Sequence, residues 1–203
     1  MDGTQPNRTC DLSRSTKETT VRVALNLDGR GEGSAQTGVG FFDHMLDLLT
    51  RHSLVDLIVE AQGDLQVDAH HTVEDVGIVL GQAIEKTIGD KKGIYRYGWA
   101  IVPMDESLAQ VAIDLSGRPA FVFNVQFTGP LIGQFPVELV EEFFKALATS
   151  AKMNLHVAVP YGTNNHHIAE AIFKAVAKAL RQAVSYDPRN PGGMPSTKGS
   201  LSG

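Results

Sequence analysis

The feature that most constrains this chain is that it repeats itself. Glu18-Thr-Thr-Val-Arg-Val-Ala-Leu-Asn-Leu-Asp-Gly29 reads again as Glu106-Ser-Leu-Ala-Gln-Val-Ala-Ile-Asp-Leu-Ser-Gly117, 88 residues later. At the same spacing Arg8 answers to Arg96 and Arg30 to Arg118. Phe41-Phe42 then corresponds to Phe143-Phe144 at a spacing of 102, and His70-His71-x-x-Glu74 to His166-His167-x-x-Glu170 at 96. The drifting spacing means that loops changed length while the elements kept their order. A single duplication of a unit near half the chain is unlike a solenoid, whose repeats run to about 20–50 residues. The expected organisation is a first half at 1–92 and a second at 93–190, packed as one unit, followed by a flexible tail at 191–203.

Each half opens with the alternation of a half-buried strand. Val21, Val23, Leu25 and Leu27 share one face, as do Val111, Ile113 and Leu115, with Asp-Gly and Ser-Gly turns after them. Further strands are predicted at 56–60 and 65–68 in the first half and at 120–127 and 155–159 in the second. Phe42, Met45, Leu46 and Leu49 fall at helical spacing, and so do Phe144, Leu147, Ala148 and Ala151. These aromatic stripes read as core. Longer helices are predicted at 71–88 and 167–185, rich in Ala, Ile, Val and Lys and closing near Gly89 and Pro188. The fold class that follows is α+β, an internally duplicated unit in which each half is a small, mostly antiparallel sheet covered by two helices. The Gly-rich stretch 29–40 matches neither a dinucleotide fingerprint nor a Lys-bearing phosphate loop, and reads as a surface loop.

With 42% hydrophobic and 20% charged residues, the composition is that of an ordinary globular chain able to bury a sizeable core. A net charge of −5 argues against a general binder of nucleic acid or anionic membrane, so an anionic substrate would need a local Arg/Lys cluster. Cys10 is the single cysteine, which excludes an intrachain disulfide and suits a reducing compartment. No stretch approaches the ~20 apolar residues of a membrane span, and 1–8 is polar, so a cytoplasmic protein is expected.

Six of the seven histidines stand out: His44, His70, His71, His156, His166 and His167. His52 reads as structural. Two adjacent pairs, each followed by a glutamate at a helix start, point to metal. On a helix His70 or His71 converges with Glu74, and His166 or His167 with Glu170. Adjacent residues point about 100° apart, so the two histidines of a pair serve different metals. Imidazole and carboxylate without thiolate suit Mn, Fe, Zn or Ni. Sharing six histidines and two glutamates between two ions assigns each three His and one Glu. His44 and His156 do not superpose in the repeat, so the two sites are expected to be similar but not identical.

Phe42-Asp43-His44-Met45-Leu46, His70-His71-Thr72-Val73-Glu74-Asp75, Asp114-Leu115-Ser116-Gly117-Arg118-Pro119 and Asn165-His166-His167-x-x-Glu170-Ala171-x-Phe173-Lys174 resemble the motifs of the imidazoleglycerol-phosphate dehydratase family. The likeness runs from about Arg8 to Lys198 without a departure at a motif position. It implies a step of histidine biosynthesis, loss of water from imidazoleglycerol phosphate to give imidazole-acetol phosphate. It also implies two Mn2+ per chain and a homo-oligomer, an octahedral 24-mer with sites between subunits. The metal ligands it implies are His44, His70, His71, Glu74, His156, His166, His167 and Glu170. It further implies substrate contacts from Glu18, His44, Arg96, Arg118, Ser196 and Lys198, with Glu18, His71, Glu74, His167 and Glu170 as the catalytic set.

The residue types suit that chemistry. The proton on the carbinol carbon is not acidic, whereas an imidazole held by two Lewis acids can lose its N–H and help expel the adjacent hydroxyl. The neighbouring C–H then becomes acidic enough for a carboxylate, for which Glu18, outside the metal set, is the candidate. Arg96 and Arg118 can fork onto phosphate oxygens, and Ser196 and Lys198 in the tail add a donor and a cation. Two other readings compete, a dinuclear hydrolase of phosphate esters and a non-catalytic protein whose metals staple subunits. Incubation with imidazoleglycerol phosphate and Mn separates the three.

Overall fold

Alternating burial along the strands decides which way each sheet faces, and so where the helices go. The computed structural model describes residues 8–201; the polar opening at 1–7 and the last two residues of the tail lie outside the described residues. In the first half β1 (Thr9–Ser15), β2 (Thr19–Asn26), β4 (Asp56–Gly63) and β3 (Gly33–Gln36) form a sheet in the order β1-β2-β4-β3, with helix α1 (Gly40–Ser53) crossing between β3 and β4. In the second, β5 (Tyr97–Met104), β6 (Ser107–Asp114), β10 (Asn154–Tyr161) and β7 (Ala120–Asn124) repeat that order as β5-β6-β10-β7, with α3 (Glu138–Ser150) as the crossover. Two pairings of each sheet are antiparallel, and the pair joined through the helix is parallel, as a crossover connection requires. The long helices α2 (His70–Ile88) and α4 (Asn165–Val184) follow each sheet.

The α+β duplication expected from the sequence is therefore present, with local differences. The segment 65–68 is a turn, since its residues are mostly exposed and have no partner strand there. The stretch 29–40 is not loop throughout, for it contains β3, whose short exposed run carries too few apolar residues to announce itself. Edge strand β1 also carries little apolar signal, whereas β5, the equivalent edge of the second sheet, is apolar on both faces and so lacks the alternation that marks a half-buried strand. The spacing of the short helices differs as well. Asp56 and Asn154 open equivalent strands at a spacing of 98, and the residues that close α1 and α3, Leu54 (φ 61) and Lys152 (φ 51), share it. At 98, Phe143 and Phe144 stand where Met45 and Leu46 do, one helical turn past the Phe41-Phe42 match at 102. Both registers present the same helix face, which is why the sequence pattern could not separate them. A hairpin of β8 (Leu131–Ile132) and β9 (Phe135–Pro136), with no counterpart among the described residues of the first half, accounts for the longer spacing.

Val23 and Leu25 of β2 pair with Val59 and Leu57 of β4 on a buried face that Val21, opposite Ala61, extends, and Val111 and Ile113 with Val157 and Leu155 do the same in the second sheet. Helices cover these faces, but they also pack across the halves: α2 lies on α3, and α1 on α4. Phe42 of α1, Phe143 and Phe144 of α3 and Phe173 of α4 meet in one cluster with centroids 4.6–5.4 Å apart. One continuous core results. The expected tail does not hang free as far as Leu201. The Arg96 guanidinium donates to the Pro195 carbonyl at 2.8 Å, Gly93 N to Gly193 O at 2.8 Å, and Leu201 is buried. No helix among the described residues is long and apolar enough to cross a membrane.

Helices α2 and α3 approach closely at Gly77 and Gly81 of α2. A methyl group on Gly81 would lie 2.6 Å from the Leu147 carbonyl oxygen and 2.7 Å from Cβ of Ser150, both in α3. Gly81→Ala is therefore expected to lower the unfolding free energy by about 1–3 kcal/mol through overpacking. Gly40→Ala, where a methyl meets nothing within 4 Å, should change it by no more than about 0.5 kcal/mol. Denaturant unfolding of both variants checks this contrast.

Candidate active site

Two helix N-termini and the turns before them hold most of the candidate residues. Asp68 Oδ1 accepts from the backbone N of His70 at 2.7 Å, and Asn164 Oδ1 accepts from those of His166 (2.9 Å) and His167 (3.4 Å), so each long helix begins at its histidine pair. The rings of each pair are nearly perpendicular, at 87° for His70 and His71 and 80° for His166 and His167. Adjacent helical positions therefore aim in different directions, as helix geometry requires.

His166 and Glu170, four residues apart on α4, share a face, and their Nε2 and Oε2 are 3.2 Å apart. Packing of α1 on α4 adds His44, whose Nε2 is 3.7 Å from the same carboxylate oxygen. Three possible ligand atoms thus lie within 4.8 Å of one another, two from the second half and one from the first. Donors each about 2.1 Å from a common divalent ion stand about 3–3.6 Å apart, so this set fits a metal after small adjustment. Phe41 packs its edge on His166 at 5.3 Å and limits the ring's freedom. Glu170 is buried, and its other oxygen takes Lys174 Nζ at 2.6 Å. Burial opposes ionisation of Glu170, but Lys174 and His166 outweigh it and hold its pKa below the ordinary value.

The other five expected ligands do not join this cluster among the described residues. His70 and Glu74 repeat the spacing of His166 and Glu170 on α2, but at the spacing of 98 the counterpart of His44 is Glu142, so the first half has no third imidazole there. His156 is exposed on the outer face of the second sheet, between Ala112 and Val122 in register, and points away from the helices. His71 and His167 each turn Nδ1 toward a carboxylate, to Asp64 at 3.0 Å and to Glu106 at 2.7 Å. Those bonds raise both histidine pKa values, against burial, and Glu18 adds its charge at His71. Glu106, which accepts His167 and the backbone N of Asn164 and Thr163, is held far below the carboxylate range. His52 stands apart; burial, then Lys174 and Lys178, push its pKa down.

Of the residues expected at substrate, Glu18 is exposed at the start of β2, and Arg118 is exposed after Ser116-Gly117. Arg96 grips Asp114 with two bonds (2.7 and 3.0 Å), lies 4.6 Å over the Tyr97 ring and holds Pro195, which sets Ser196 and Lys198 in the segment that follows. Its repeat partner Arg8 clips Asp28 and Tyr186 in the same manner. Sequence reasoning missed Asp64, whose contact joins the end of β4 to α2 and leaves no mark in a motif, and it gave no role to Lys174, which stands in a quoted motif one helical turn from Glu170.

The family model described as imidazoleglycerol-phosphate dehydratase matches residues 37–180. Relatives of that description include proteins from Nitrobacter hamburgensis, 58% identical over 97% of this chain and 100% of that protein, and Azorhizobium caulinodans, 59% identical over the same shares. Among solved structures, the imidazoleglycerol-phosphate dehydratase of Staphylococcus aureus superposes with a TM-score of 0.81 at 42% identity, covering 88% of this chain and 99% of that one. The Pyrococcus furiosus structure gives 0.80 at 35% identity, covering 94% and 100%.

The two raised histidines and the depressed carboxylates set a pH dependence with opposite signs for the two forms of the protein. In the metal-free form, protonated His71 and His167 contribute stability below the unfolded histidine value of ~6.5, and it is lost as pH rises through their raised values. Glu106 and Glu170 contribute above the unfolded carboxylate value, and that part is lost only as pH falls through their depressed values. A metal instead requires deprotonated imidazole, so its affinity rises with pH. Thermal unfolding from pH ~6 to ~8 should show the stripped protein losing stability from these groups while a metal-loaded sample gains it.

Proposed function

Because the chain belongs to the imidazoleglycerol-phosphate dehydratase family, and is thus a hydro-lyase of histidine biosynthesis, we propose that it performs the dehydration with two Mn2+ per chain held by its histidine–glutamate sets. The observation that carries this reading is the convergence of His44, His166 and Glu170, which offer N, N and O donors at ligand spacing. His70, His71, Glu74, His156 and His167 supply the remaining ligands. When bound, the metals supply Lewis acidity, which orients the substrate imidazole and eases loss of its N–H. Glu18 moves the proton at the carbinol carbon, and the departing hydroxyl leaves as water. Arg96, Arg118, Ser196 and Lys198 bind the phosphate, with the Arg96–Asp114 fork keeping the tail in reach. His44 lies beside the substrate as well as the metal.

His156 faces outward, so its part in a ligand set requires a second chain. Trp99 and Ile101 (each 64% exposed) and Val122 (46%) surround it with apolar surface that another copy would cover. We therefore read the protein as a cytoplasmic homo-oligomer, an octahedral 24-mer with sites completed between subunits.

Two measurements test these readings. Protein stripped of metal should be inactive on imidazoleglycerol phosphate and recover with Mn2+ at close to two ions per chain, and His71→Ala or His167→Ala should lower that count and abolish turnover. Full turnover in a verified metal-free sample would remove the metal mechanism. By mass action, chelator should also convert a large particle to smaller species, and Mn2+ should restore size and activity together. Light scattering that shows no change of size after metal removal would limit the metals to chemistry.

A further inference from the structure

The duplication supplies an internal control at the start of each central strand. Glu18 and Glu106 are equivalent, 88 residues apart, and so are His71 and His167, 96 apart. In the second half the pair is closed. Oε2 of Glu106 accepts Nδ1 of His167 at 2.7 Å, and Oε1 accepts from Ser107 Oγ, Thr163 N, Thr163 Oγ1 and Asn164 N. In the first half the equivalent bond is not made. Nδ1 of His71 meets Asp64 instead, at 3.0 and 3.2 Å, and Glu18 is exposed with no side-chain hydrogen bond among the described residues. At the spacing of 98 the counterpart of Asp64 is Gly162, which has no side chain to offer His167. Each ring's Nδ1 thus has its own carboxylate partner, Asp64 just after β4 in the first half and Glu106 in the turn before β6 in the second, where Asp105 Oδ2 also stands 3.7 Å from Nε2 of His167.

We infer that Asp64 is a positioning residue that holds His71 with Nδ1–H bonded and Nε2 turned outward, the task Glu106 performs for His167, and thereby leaves Glu18 free for proton transfer. This rests on the reading of His71 as a metal ligand and of Glu18 as the acid–base group. A carboxylate that accepts five hydrogen bonds is a weak base with no oxygen to spare, so Glu106 cannot shuttle a proton. Glu18 keeps both oxygens available because Asp64 has taken its partner. Carboxylates behind ligand histidines fix the tautomer and ring orientation, and their loss typically weakens metal binding about 10–100-fold.

The test is calorimetric titration of Mn2+ into metal-stripped, full-length protein. Asp64→Ala and Glu106→Gln should each weaken binding about 10–100-fold. Glu18→Gln should retain wild-type affinity and lose turnover, although it alters the position equivalent to Glu106. Asp64→Glu should restore most of the affinity, and Asp64→Asn, which keeps the shape, replaces the alanine variant should that fail to fold. Imidazole 15N shifts of the stripped protein should show the Nδ1–H tautomer of His71 in wild type and its loss in Asp64→Ala. Wild-type affinity in Asp64→Ala, or a loss in Glu18→Gln equal to that in Glu106→Gln, overturns the inference and leaves the metal reading standing. A wild-type protein that takes up no Mn2+ removes both.

Discussion

Neither half of this protein buries its own helices alone. Each sheet presents one apolar face, and the helices laid on it have a second face that only the other half can cover, α2 against α3 and α1 against α4. The cluster of Phe42, Phe143, Phe144 and Phe173 closes that interlayer, and truncation of a buried phenylalanine of this kind typically costs about 3–5 kcal/mol. Gly77 and Gly81 let backbone meet backbone at the same seam. The interlock also builds chemistry, because the packing of α1 on α4 is what sets His44 beside His166 and Glu170.

Electrostatics then divides the candidate site into groups that hold and groups that are held. Asp64 and Glu106 each engage Nδ1 of His71 and His167, and Nε2 of both rings makes no hydrogen bond among the described residues. Lys174 and His166 keep the buried Glu170 ionised against the cost of desolvation. Arg96, pinned by Asp114 and stacked on Tyr97, ties the tail to the second half through Pro195. Without that tie a Gly- and Ser-rich segment carrying Ser196 and Lys198 would be free to wander.

The duplication sets a common frame, from which the two halves depart unequally. Glu18 and Glu106 began as one residue and now face different surroundings, one exposed and one saturated with donors. Among the described residues the hairpin of β8 and β9 has no counterpart in the first half, and its Phe135 reaches over to Phe41 and Phe42 there.

Much of this was legible in the residues themselves. The alternation at 21–27 and 111–115, the apolar stripes and the histidine pairs depend on neighbours two to four positions away, which local periodicity alone arranges. The motifs built on them carried the family as well. Where the pattern was weak it misled: 65–68 had a strand's composition but no partner, and β3 had a partner but almost no apolar signal. The match of the phenylalanine pairs slipped by one turn, because a helix shows the same face at both registers. The sequence by itself determined the duplicated α+β unit, its strand faces and the adjacency of each histidine pair. Only the tertiary structure decided that His44 joins the second pair, that His156 points out of its sheet, and that Asp64 rather than Glu18 holds His71. Those contacts join elements remote along the chain, and their distances come from how whole faces pack, not from any spacing a motif records.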